Sequence, residues 1–318
     1  MNNNAALRHL TTLTLSLALF VVMLGAYTRL TDAGLGCPDW PGCYGHLIVP
    51  QNLQTTQAWT EMIHRYLAGT LGVLILLIVF MSSRLRSNDQ ASSSILPWLL
   101  LILVAGQATL GMWTVTCKLL PVVVMSHLLG GFFIFATLCY YRWHLSATTP
   151  QPHAFWRVLL NLGIALLLCQ IALGGWVSSN YAGIACIGFP QCNGAWIPTL
   201  DITHAFNVVL SSNINHQGGL LDNTARVTIQ WFHRLGALVT ASYLLLLGMA
   251  LVIHFKSPLV RRLVSLVIGL VVVQCLLGVV NVIYLLPLWA AVLHNGVAAT
   301  LLGSLFSLHY YLSSPGEK

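Results

Sequence analysis

Hydrophobic residues along this chain come in long unbroken runs, not in the alternation of a half-buried strand or the one-sided stripe of a soluble helix. Eight runs are long enough to cross a bilayer at about 20 residues per crossing, at approximately 10–30, 61–82, 95–117, 122–145, 155–178, 229–254, 260–285 and 288–312. Polar and Gly/Pro-rich stretches separate them. The pattern predicts an all-α integral membrane protein with eight transmembrane helices, and an even number of crossings leaves both termini on one side.

The second half then repeats the first in register. Gly25 precedes Cys37 by 12 residues, and Gly174 precedes Cys186 by the same 12. Cys37 and Cys43 are six apart, as are Cys186 and Cys192; His64-Arg65 is matched by His233-Arg234. Gln107 stands 20 residues before His127, and Gln274 stands 20 before His294. Two tandem, pseudo-symmetric four-helix bundles follow, residues 1–150 and 151–318. A repeat of even helix number returns the chain to its starting side, so the two are parallel, related by an axis along the membrane normal.

Composition sharpens the class. Of 318 residues 57% are hydrophobic and 7% charged, against about 25% charged in soluble domains. The net charge of +7 is scattered among loops instead of gathered into a patch, which argues against nucleic acid as a partner. Nine of the fourteen basic residues, Arg84, Arg142, Arg261 and Arg262 among them, fall on the side of the termini. That bias puts both termini in the cytoplasm. The first span has no convincing cleavage site and is read as retained, and no Arg- and Ser-rich presequence precedes it, which favours a bacterial cytoplasmic (inner) membrane.

Candidate chemistry lies on the opposite, periplasmic side. Cys37 and Cys43 sit in a Gly/Pro-rich loop after span 1, where an oxidising compartment favours a disulfide. They form either a loop staple or a redox-active pair. The other loop pair, Cys186 and Cys192, reads as a structural disulfide, and Cys117, Cys139, Cys169 and Cys275 read mostly as small core hydrophobes. The polar segment Ser82 to Ser94 is a connector. Loop 179–228 carries His204 and His216, and its segment Ile202 to Leu210 fits the membrane surface; no role follows from sequence.

Four helix histidines, His64, His127, His233 and His294, fall near the outer ends of even-numbered spans, two in each unit. Matched depth and repeated position fit axial ligation of a planar haem between facing helices. A zinc or copper centre lacks further ligands at that depth. Arg65 and Arg234, which follow two of these histidines, could pair with haem propionates or snorkel to headgroups. Gln107 is a candidate interhelical hydrogen-bond donor within a small-residue stretch that permits close helix packing. The halves differ at one position: Glu61 precedes His64 by three residues, whereas Gln230 precedes His233 by three. An ionisable residue in a span is costly and is read as functional, although a carboxylate near a helix N-terminus is also favoured by the helix dipole.

Thr28-Arg29-Leu30-Thr31, Gly34-Leu35, Cys37-Pro38-Asp39-Trp40-Pro41, Glu61-Met62-Ile63-His64-Arg65 and the duplicated histidines together resemble the haem A synthase family over nearly the whole chain. The resemblance implies an oxidoreductase that converts the C8 methyl of haem O to a formyl group, giving haem A for terminal oxidases. It implies haem b as cofactor on His233 and His294, the substrate haem O on His64 and His127, Glu61 as the catalytic carboxylate, and Cys37 with Cys43 as the outer-loop pair. The enzyme that makes haem O and a membrane electron carrier are the partners it suggests; the oligomeric state is left open. Two other classes compete: a membrane b-type cytochrome that only transfers electrons, and a haem transport protein.

Overall fold

The structure, a computed structural model, describes residues 3–87, 95–146, 153–209 and 211–313. Among them are nine α-helices: α1 (Asn3–Leu30), α2 (Thr56–Ser87), α3 (Leu96–Thr116), α4 (Pro121–His144), α5 (Ala154–Ser179), the short α6 (Ile202–Ala205), α7 (Asn223–His254), α8 (Pro258–Ile283) and α9 (Leu288–Leu312). All but α6 are long and apolar enough to cross a membrane. No strand occurs among the described residues, so the protein is an all-helical, multi-pass membrane protein.

Helix starts follow local chemistry. Proline occupies the first turn of α3, α4 and α8, where its missing N–H costs nothing. Asp222 caps α7 by accepting the Ala225 amide at 2.8 Å. Three helices begin several residues before their apolar runs, α1 at Asn3, α2 at Thr56 and α7 at Asn223, because polar residues extend a helix beyond the apolar core. The connector expected at Ser82 to Ser94 is shortened for a similar reason: α2 continues to Ser87, and residues 88–94 lie outside the described residues. So do the expected domain boundary at 150 and 151, Leu210 at the end of the expected surface segment, and Lys318.

In each half the spans close a ring. Helix α1 packs on α2 and α4, and α3 packs on the same two; α5 packs on α7 and α9, and α8 packs on the same two. The rings meet along α1, α4, α5 and α9. Helix α9 is the most buried element, with Ala298, Ala299 and Gly303 bringing its backbone close to its neighbours; a Cβ on Gly303 would stand 2.8 Å from the Phe135 ring. Small residues let helices gain dispersion contact where lipid offers no hydrophobic driving force. The outward faces carry exposed Phe20, Phe80, Ile102 and Leu238, a surface that only lipid would cover favourably.

The repeat extends to backbone detail. Lys118-Leu119 and Leu285-Leu286 both turn through left-handed conformations that cost L-residues about 1–2 kcal/mol each. Each turn is tied back, Leu119 N–H to Thr114 O at 2.8 Å and Leu286 N–H to Asn281 O at 2.7 Å. The leucines then pack on Gly34 and Gly183 respectively. Cys37–Cys43 and Cys186–Cys192 are both disulfide-bonded, as expected. Each loop closes with the same paired hydrogen bonds, between Cys43 and His46 and between Cys192 and Ala195.

Loop 179–228 acts as a strap. His216, buried, donates its amide to Lys118 O at 3.0 Å, and Lys118 Nζ donates to Asn213 O at 3.0 Å. Gln217 reaches Asp32 O at 3.3 Å, and the Tyr181 hydroxyl donates to Asp32 Oδ1 at 2.8 Å. His204 caps its own short helix through Asp201, whose carboxylate accepts the His204 amide and faces His204 Nδ1 at 2.7 Å. Those two contacts hold the Asp201 carboxyl below its usual pKa. His216 thus anchors the strap, whereas His204 acts only within its own helical turn. Cys169 and Cys275 are exposed on their helices, unlike the core positions expected from sequence, and Cys275 borders the central cavity.

Candidate functional site

Four imidazoles converge on one cavity. His64 on α2, His127 on α4, His233 on α7 and His294 on α9 all line a space of about 1600 Å³ that runs between the two rings, with mostly apolar walls. Each imidazole lies against a glycine of the preceding span. A Cβ on Gly25, Gly111 or Gly174 would stand 3.1 Å from Cε1 of His64, His127 or His233, and one on Gly278 would stand 3.4 Å from Cε1 of His294. Each glycine therefore marks a place where a ring is seated against bare backbone. His64 and His127 lie within electrostatic reach of each other, as do His233 and His294.

The donor set suits a haem in each half. Imidazole nitrogens are good haem-iron donors, the walls suit an apolar macrocycle, and Nδ1 of His64, His127 and His294 is buried without a partner. No group of three or more His, Cys, Asp or Glu side chains placed to hold a bare metal ion occurs among the described residues.

Glu61 lines the same cavity in the first half, and it is only 4% exposed. Like His64 three residues on, it faces that cavity, while its hydrogen bonds run to Arg65 and the loop. Its Oε1 pairs with Arg65 Nη2, and its Oε2 accepts the Cys37 amide at 2.8 Å. The carboxylate thus ties α2 to the disulfide loop. Gln230, its counterpart, is buried in the same cavity with Oε1 lacking a partner.

Both arginines beside the histidines grip loop backbone. Arg65 Nη1 donates to Asp39 O at 2.8 Å and also to Gly42 O. Arg234 donates to Gly188 O at 2.9 Å, Gln191 O at 3.2 Å and Cys186 O. Both still line the cavity, and Arg234 Nε is buried without a partner. Asp39 completes the first loop by accepting the Tyr44 and Gly45 amides at 2.6 Å each. Its slight burial would raise its pKa, but the Gly45 and Tyr44 amides and the Arg65 charge outweigh that and hold it below the usual carboxylate value.

Two further arginines reach the cavity from the junction of the halves. Arg29 donates to Ser178 O at 2.7 Å and stacks 3.9 Å above the Tyr181 ring, and Arg226 donates to Gly219 O at 3.0 Å. Nε of each is buried and unpaired. Sequence counted Arg226 only as a charge and placed Arg29 in the family motif without a role. The signal that could have found Arg29 is its place one helical turn after Gly25, and Gly25 in turn belongs to the set of four glycines facing histidines.

A family model described as COX15-CtaA, cytochrome oxidase assembly protein, matches residues 8–306. The chain belongs to the COX15-CtaA family. Relatives agree over nearly full length. The haem A synthase of Shewanella oneidensis is 45% identical, over 94% of each chain. That of Neorickettsia sennetsu is 26% identical, over 90% of this chain and 93% of its own, and that of Shouchella clausii 26%, over 92% and 91%. The family match thus takes in all four histidines, both cysteine loops and Glu61.

Proposed function

We infer that this chain is a haem A synthase, an oxidoreductase that converts haem O to haem A. The observation that carries the site-level reading is the cavity itself: two pairs of glycine-seated histidines, with a buried carboxylate beside only one of them. Residues 1–150 then form the substrate half, where His64 and His127 hold haem O, and residues 151–318 form the cofactor half, where His233 and His294 hold haem b. The cofactor haem, when bound, supplies a one-electron carrier beside the substrate. With water as the oxygen donor, the conversion of the C8 methyl of haem O by way of an alcohol and a hydrated aldehyde that loses water balances as RCH3 + H2O → RCHO + 4 H+ + 4 e−, the electrons leaving to an acceptor in the membrane.

This chain's own residues bind, orient and stabilise. Glu61 is fixed by the Cys37 amide and by Arg65, so it needs no rearrangement to stabilise positive charge developing at the methyl carbon or to hold a water there. The apolar walls lower the local dielectric and strengthen that effect. The unpaired Nε groups of Arg29, Arg226 and Arg234 are donors available to haem propionates.

The deciding experiment supplies haem O to cells expressing the chain and identifies the extracted haems by chromatography and mass. Haem A or its hydroxylated precursor should appear. Normal haem loading with neither product would leave a b-type cytochrome or a haem carrier in its place.

The cysteine loops and the haem sites face the periplasm in this reading, supported by Arg8, Arg142, Arg157 and Arg261 at the opposite end and by two disulfides that need an oxidising compartment. Alkaline phosphatase fused after Lys318 should be inactive, and a cytoplasm-dependent fluorescent protein fused there should glow. The reverse pattern would invert the orientation.

A further inference from the structure

Three of the four histidines have a glutamine behind them, and the fourth does not. On α3, α5 and α8 the glycine under the imidazole is preceded by four residues by Gln107, Gln170 and Gln274; on α1 that position is Val21. Gln170 Nε2 lies 3.0 Å from both Nδ1 and the backbone oxygen of His233. Gln107 Nε2 donates to the backbone oxygen of His127 at 2.7 Å, and Gln274 Nε2 lies 3.1 Å from Nε2 of His294. Two of these glutamines are fitted by a second glycine. A Cβ on Gly130 would stand 2.2 Å from Gln107 Oε1, and one on Gly236 would stand 2.4 Å from Gln170 Oε1. Gly130 and Gly236 follow His127 and His233 by three residues; Leu67 holds that place after His64.

The carbonyl oxygens of all three glutamines are buried without a partner, and so are Nδ1 of His127 and His294. At His127 and His294 the glutamine holds the backbone oxygen and Nε2, and at His233 it meets Nδ1, where the side-chain amide turned over presents its oxygen to the Nδ1–H of an iron-binding imidazole. Such a partner fixes the ring's tautomer and orientation and makes it a stronger donor, and removing one typically costs about 10–100-fold in metal affinity. His64 Nδ1 is equally buried and unpaired, yet α1 offers it only Val21.

We propose that His64 is the displaceable axial ligand and that Gln107, Gln170 and Gln274 are positioning residues that keep His127, His233 and His294 in place. A haem held by two histidines has no open coordination position, so a small ligand must displace one of them. The weak point falls on α2 three residues after Glu61, on the side where the buried carboxylate already stands. This rests on the assignment of haem O to the first half.

Carbon monoxide binding to the reduced, full-length protein, purified with haem b and haem O bound, tests it. In the unmodified protein only the haem O spectrum should shift with carbon monoxide. Val21→Gln with Leu67→Gly, which copies the Gln170 and Gly236 arrangement, should slow that binding at least about tenfold while both haems stay loaded and low-spin. Gln170→Leu should make the haem b half reactive by a comparable factor, and this arm decides alone if the double variant does not load haem. Unchanged binding in a loaded double variant, or an inert haem b in a loaded Gln170→Leu variant, overturns the proposal. Haem A output of the unmodified protein is scored separately: its absence with the expected carbon monoxide pattern would defeat the enzyme assignment and leave this one standing.

Discussion

Replacing His233 with alanine is expected to strip low-spin haem b from the protein while haem O still binds, and His294→Ala should do the same. Each ring is pressed between a glycine, Gly174 or Gly278, and the cavity, with Gln170 or Gln274 behind it, so no other side chain can swing in as ligand. Because loss of an outer partner alone costs about 10–100-fold in affinity, loss of the ligand should cut haem b per protein by at least about tenfold. Gly174→Leu gives an independent arm that leaves the ligand in place. Even its Cβ would sit 3.1 Å from Cε1 of His233, and the rest of the leucine would push the ring out of line. Gly269→Ala on α8, where a Cβ meets nothing within 4 Å, should load haem normally. Haem extraction and the low-spin resonance read all four; low-spin haem b retained in both histidine variants would end the assignment of the second half.

Hydropathy made the eight spans legible because crossing a bilayer is itself a hydropathy criterion. It misplaced the starts of α1, α2 and α7 because hydropathy ignores polar first turns, such as Asn223 to Thr228, which Asp222 caps. The repeat was legible for a different reason: duplicated spacing survives whatever the side chains do, and it extended to the Lys118-Leu119 and Leu285-Leu286 turns, which sequence did not flag. The glycine seats were half legible. Gly25 and Gly174 stood out as repeated, yet a small residue in a span reads first as a helix-packing position, and only the fold reveals that the neighbour of these two, and of Gly111 and Gly278, is an imidazole. The contacts of Glu61 were hidden by degeneracy, since helix periodicity places both His64 and Arg65 within reach of it. The fold of the cysteine loop, which no periodicity encodes, selects Arg65 by presenting the Cys37 amide and the Asp39 and Gly42 carbonyls.

Those same contacts make Glu61→Gln the most informative single change. Glutamine keeps an oxygen for the Cys37 amide and is the residue the second half carries at Gln230, so the fold around it should persist, with haem b and haem O both bound. Only the charge is lost. Removing one preorganised electrostatic group from a site of this kind typically costs about 10²–10³ in rate, so haem A and its hydroxylated precursor should fall to traces. Glu61→Ala should be equally inactive and also less stable, because it leaves the Cys37 amide and the nearly buried Arg65 guanidinium without their partner. Breaking a buried pair from one side costs about 3–5 kcal/mol. Arg65→Met tests the converse: it keeps the carboxylate and its Cys37 amide contact but removes the cation that joins Glu61 to the Asp39 and Gly42 carbonyls, so lost stability with residual turnover would assign Arg65 to positioning and Glu61 to the chemistry. Haem A output in Glu61→Gln equal to that of the unmodified protein would instead reduce Glu61 to a loop anchor, and the difference between the halves would then have to lie at His64 and Val21.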